Sequence, residues 1–136
     1  MPKTMQQSMP KAIVSIAFLL IVAGCSTSHR APMRPAPITH IVLFNLADDA
    51  DIDAFIAESD AALAELPGVE SYTCGRPLDT GRAAVSGDYD VACMFGFASV
   101  AAYEAYLAHP EHRRLVDVWR DRIESMRIYD FLDAAP

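Results

Sequence analysis

The chain has 136 residues, room for one domain, and carries 18 acidic against 11 basic side chains for a net charge of −7. That balance excludes a nucleic-acid binder, which needs clustered cations against phosphate. It equally excludes a domain that adheres to anionic headgroups through its own surface charge.

The first 24 residues are expected to lie outside the domain. Lys3 and Lys11 frame a short polar opening, Ala12 to Val22 is apolar apart from Ser15, and Val22-Ala23-Gly24-Cys25 follows. A basic start, a short apolar run and small residues before a cut point form a secretory signal. The run is shorter than the ~20 residues a membrane span needs. Its last four residues resemble the bacterial lipobox, in which the signal peptidase cuts just before a cysteine that carries the lipid. The resemblance implies a signal peptide over residues 1–24, lipidation of Cys25, and a mature protein held to the lipid bilayer through that cysteine. Ser26 in place of Asp then implies the periplasmic face of the outer membrane. The competing reading is a plain membrane anchor ending in a chance cysteine. Cleavage removes two lysines and no acids, so nine arginines oppose 18 acids and the net charge becomes −9.

Residues 25–37 read as a tether. Ser26 to Pro37 holds Ser, Thr, His29, Arg and three prolines without periodicity. The domain is expected over residues 38–133. Ile38 to Leu46 alternates with apolar residues on both faces, the mark of a strand central in its sheet; His40 is the odd member of its face. Asp48 to Asp53 offers capping carboxylates to a helix whose apolar stripe is Ile52, Phe55, Ile56, Leu63 and Leu66. Pro67-Gly68 stops it. Val69 to Gly75 reads as a second strand, Arg76 to Asp88 as a long polar connection, and Tyr89 to Phe97 as a third strand apolar on both faces. Ser99 caps a helix that runs to His109. Pro110 opens another, with Leu115, Val116, Trp119 and Ile123 as its apolar face. Met126 to Leu132 closes the domain as a fourth strand. The order is that of an α+β, ferredoxin-like βαββαβ unit with a four-stranded antiparallel sheet.

Cys74 and Cys93 fall in neighbouring strands. A cross-strand disulfide and two separate buried thiols both fit, and no CxxC spacing supports zinc.

The segment Tyr106-Leu107-Ala108-His109-Pro110-Glu111-His112 carries the most chemistry. Pro110 disfavours helical geometry at His109 and suits the first turn of a new helix. Tyr106 and His112 therefore flank a corner and can converge on one pocket. A phenol and an imidazole so placed suit proton transfer or polar ligand binding.

From His40 to Leu132 the sequence resembles the stress-responsive A/B barrel family. The resemblance rests on His40-Ile41-Val42-Leu43-Phe44, Leu66-Pro67-Gly68-Val69, Gly75-Arg76, Tyr89-Asp90, Tyr106 through His112, and Tyr129-Asp130-Phe131, in that order. It implies a homodimer in which two four-stranded sheets pair as a dimeric α/β barrel. In the family's polyketide-cyclising members a Tyr and a His at the positions of Tyr106 and His112 carry the chemistry, and an acid at the position of Asp130 supports the His. The resemblance thus implies His112 as base, Tyr106 as donor to an oxyanion and Asp130 as orienting acid; His40 is a further candidate for the same pocket, the expected ligand is a small apolar or aromatic molecule, and no cofactor or metal is expected.

Structural roles compete for each residue. Tyr106 fits a core aromatic, His109 a helix cap, His40 a strand-end residue, and His112 with Asp130 a buried polar lock. His109 and His112 stand three apart, but the corner at Pro110 spoils a one-face metal site. The functional alternatives are an acid/base enzyme of cyclase or lyase type, a non-catalytic binding or stress-related module, and an envelope interaction domain using the loop 76–88.

Overall fold

A computed structural model describes residues 36–134 of the chain. The expected signal segment, Cys25 and most of the expected tether lie outside the described residues. The last two tether residues are seated on the domain. Ala36 is buried, and the Pro37 carbonyl accepts the Asp133 N–H at 2.7 Å.

The elements follow the expected order: β1 (Ile38–Leu46), α1 (Ile52–Leu63), β2 (Val69–Gly75), β3 (Val91–Phe97), α2 (Val100–Ala108), α3 (Pro110–Trp119) and β4 (Ile123–Leu132). They form one antiparallel sheet in the order β2-β3-β1-β4. The strands read as apolar on both faces, β1 and β3, are the two central ones. The helices pack against one face, so the side chains alternating along each strand have separate fates. On the helical face Phe44 meets Phe55 at 4.8 Å between ring centroids, Phe55 meets Trp119 at 5.0 Å, and Phe97 meets Tyr106 at 5.1 Å. Burying each such side chain contributes roughly 1.5–3 kcal/mol. Ile41, Leu43, Met94, Tyr129 and Phe131 point to the other face, which no helix among the described residues covers.

Gly68 takes φ +92° in the turn that leads from α1 into β2, a conformation that favours glycine. Cys74 and Cys93 are directly opposed across β2 and β3, with Cα atoms 4.1 Å apart, and are joined as a disulfide.

Three expectations are corrected. Ile123 does not continue α3. The helix ends at Trp119, a 3-10 turn spans Arg120–Arg122, and Ile123 opens β4 opposite Leu46. β4 pairs along all of β1, and this long-range pairing outweighs the local helical spacing. Val116, read as part of the apolar face of α3 with the buried Leu115 and Trp119, is itself exposed. Finally, Asp51 stands at the N-cap of α1 without capping it through its side chain. Its carboxylate binds Arg122 instead, and that hydrogen bond holds it below the usual carboxylate range. The Arg122 guanidinium carbon also lies 3.8 Å from the Trp119 ring centroid.

Candidate functional site

The corner between α2 and α3 forms as the sequence requires. Ser99 Oγ accepts the Ala102 N–H at 3.2 Å and starts α2. His109 leaves helical geometry at φ −63°, ψ 136°, and Pro110 opens α3. The His109 ring has a structural task, since its Nδ1 accepts the Glu111 N–H at 3.2 Å and so caps α3. Tyr106, in the last turn of α2, and His112, in the first turn of α3, are thereby turned together, with ring centroids 4.6 Å apart.

His112 Nδ1 lies 3.2 Å from the Leu107 carbonyl oxygen. A carbonyl only accepts, so this nitrogen carries the proton and Nε2 keeps a lone pair. Burial lowers the His112 pKa below the ordinary histidine value; the Leu107 carbonyl opposes that shift, and His40, Arg113 and His109 add to it. The ring is thus neutral at physiological pH, with a free basic nitrogen. Burial, followed by proximity to Tyr103, raises the Tyr106 pKa well above its usual value, so its phenol remains a proton donor.

Asp130 does not support His112. The β1–β4 register sets it directly opposite His40, and its Oδ1 lies 2.6 Å from His40 Nδ1. Tyr103 completes this group by donating its hydroxyl to Asp130 Oδ2 at 3.0 Å while lying 3.1 Å from His40 Nδ1. Burial, then the bond to Asp130, pushes the Tyr103 pKa up to about 12. Because the carboxylate only accepts, His40 donates to it from Nδ1. The Asp130 side chain is 46% exposed while that of His40 is 6% exposed, so the acid is not the buried carboxylate that the apolar strand suggested.

Both histidines line two adjoining cavities. The inner chamber, about 60 Å³, lies between the sheet and the helices; its polar lining is His40, His112, Tyr106 and Ser59, and its apolar walls include Phe55, Phe95 and Trp119. The outer trough, about 540 Å³, runs over β4 past Met126, Ile128 and Val116, with Arg120, Glu124 and Asp130 among its lining. His40, Val42, Phe44, His112, Val116 and Ile123 belong to both. Sequence reasoning brought His112, Tyr106 and His40 to one place but missed Tyr103 and Ser59. Tyr103 carried a usable signal: it stands one helical turn before Tyr106 and so shares its face. Among the described residues, no cluster of three or more His, Cys, Asp or Glu side chains is placed to hold a metal ion.

A four-stranded antiparallel sheet with helices on one face, and a histidine-lined cavity between the two, defines a ferredoxin-like α+β fold. The chain matches the model of the Stress responsive A/B Barrel Domain over residues 38–133, and it belongs to that family. No curated protein matches it. Among solved structures it is similar to a Dabb family protein with a ferredoxin-like fold from Mesorhizobium loti, at 25% identity and a TM-score of 0.62, covering 72% of this chain and 97% of that one. It is also similar to a hydroxynitrile lyase from Passiflora edulis, at 18% identity and a TM-score of 0.62, covering 76% and 100%. A third likeness is to a dimeric ferredoxin-like protein of unknown function from Thermobifida fusca, at 23% identity and a TM-score of 0.59, covering 70% and 89%.

Proposed function

We propose that this protein binds a small apolar or aromatic molecule between sheet and helices and carries out acid/base chemistry of cyclase or lyase type on it. One observation carries the reading: the neutral His112, with Nδ1 committed to the Leu107 carbonyl, leaves Nε2 free beside the protonated Tyr106 phenol. His112 Nε2 takes a proton from the bound molecule. Tyr106 donates a hydrogen bond to the oxygen that gains charge, a stabilisation that strengthens where water is excluded. The likeness to a hydroxynitrile lyase supports a probe of this type. On an aromatic hydroxynitrile, His112 would remove the hydroxyl proton, the carbon–carbon bond to the nitrile would break to give the aldehyde and cyanide, and the protonated His112 would return its proton to the cyanide, which leaves as hydrogen cyanide.

The test is aldehyde release from such a probe by wild type and His112→Ala. The expected result is a loss in kcat of at least about 100-fold with an unchanged melting temperature. Equal rates, or a variant that no longer folds, count against the catalytic role. A non-catalytic binding module is favoured by one observation: the carboxylate in the pocket supports His40, and His112 has only a backbone carbonyl behind it.

The protein acts as a homodimer in this reading, and the dimeric T. fusca protein of the same fold supports that assembly. The lipobox-like Val22-Ala23-Gly24-Cys25 supports a lipid anchor at Cys25 and a place in the cell envelope, at the periplasmic face of the outer membrane. Among the described residues no helix is long and apolar enough to cross a membrane. The full-length chain expressed in bacteria is expected to incorporate labelled fatty acid and to lose residues 1–24, whereas Cys25→Ala incorporates none and keeps the longer chain. Equal labelling and equal mass of the two would rule out the anchor at Cys25.

A further inference from the structure

Ser59 lies in α1 with 1% of its surface exposed, and its hydroxyl has no protein hydrogen-bond partner among the described residues. A serine inside a helix ordinarily bonds back to the carbonyl four residues earlier. Here Oγ makes no such bond to Phe55. It lines the inner chamber instead, on the same wall as Phe55 and Leu63 and in the company of His40, His112 and Tyr106. Alanine would suit the helix better and would spare the desolvation of an unpaired hydroxyl. Nothing among the described residues uses this oxygen.

The chamber's size limits what can use it. Its volume of about 60 Å³ is well under the roughly 150 Å³ that admits benzene, yet it leaves room for a small polar group. An aromatic ring must therefore lie in the trough of about 540 Å³ outside. Only a compact polar end, such as a hydroxymethyl, aldehyde or nitrile, reaches inward. We infer that Ser59 is a specificity-determining ligand contact, whose hydroxyl bonds the polar end group of a molecule whose apolar body lies along β4. The inference rests on the pocket reading above and adds to it the shape and polarity of the ligand.

Trp119 is the chain's one tryptophan and lines the chamber, so its fluorescence reports occupancy directly. Benzyl alcohol and toluene, titrated separately into the protein, differ by the hydroxyl that Ser59 would hold. Wild type is expected to bind benzyl alcohol more tightly than toluene by on the order of 10-fold, since an apolar end group leaves the serine unpaired. Ser59→Ala is expected to bring the two to near parity and to unfold at an equal or higher denaturant concentration. A preference that survives in Ser59→Ala overturns the inference alone, as does a marked loss of stability, which would show a structural role for the hydroxyl. Failure of both probes to perturb Trp119 in wild type overturns it together with the pocket reading on which it rests.

Discussion

At the scale of single residues, His112 ties function to pH. An unfolded histidine titrates near 6.5, and burial holds His112 lower in the folded protein. Above that range both states are neutral, and this group gives stability no pH dependence. As pH falls below the unfolded value, the unfolded chain takes up the proton first, so stability declines until the folded value is passed. Urea midpoints measured downward from pH 7 should therefore fall through this window, and His112→Gln should flatten the decline. A variant that keeps the wild-type slope would show that His112 is not held neutral by the fold. The same shift keeps Nε2 available as a base to lower pH than an ordinary histidine allows. The His112–Tyr106 approach was legible in the sequence because its cause is local: a proline between them dictates the corner. The partner of Asp130 was not legible. It depends on how β1 and β4 register, a pairing between residues 90 positions apart, and no local spacing distinguishes His40 from His112 as the base it meets.

The elements show the same division. Ser99 and Pro110 announced the two short helices, and apolar residues on both faces marked β1 and β3 as central. β4 was harder to bound because Ile123-Glu124-Ser125-Met126-Arg127 mixes polar and apolar residues without a clean period. Pairing with β1 makes it a strand, and the register shifts near its start, where Asn45 faces Ser125 and Leu46 faces Ile123. Asp51 was misread for a related reason. Its position suits a cap, yet Arg122, 71 residues on, offers the carboxylate a charged partner that the α1 backbone cannot match. Cys74 and Cys93 were left open by sequence because a bridge needs them opposite each other in neighbouring strands, and only the β2–β3 register places them so. A bridge there also suits the exported state proposed from the signal segment, since disulfides persist outside the reducing cytosol.

At the scale of the whole domain, the described residues leave one face of the sheet without cover. Helices cover the sheet on the side of His40, Val42 and Phe44, while Tyr129 and Phe131 on the opposite side remain 53% and 52% exposed beside Ile41 and Leu43. A sheet apolar on both faces needs cover on both, and a two-fold partner presents the same face in return. Phe131→Asp sets a charge on that face next to Thr39 without entering the chamber, whose lining comes from the other side of the sheet. Light scattering should give twice the chain mass for wild-type residues 36–136 and a single chain mass for the variant. Benzyl alcohol binding, followed through Trp119, should survive in the monomer, because Ser59 in the chamber and Met126 and Ile128 along the trough belong to the same chain. If the variant remains dimeric, the interface lies elsewhere, with the exposed Met126 and Ile128 on the helical side of β4 the next surface to charge. If it becomes monomeric and loses binding as well, the uncovered sheet face and the chamber are coupled through β1, whose alternate residues line one and build the other.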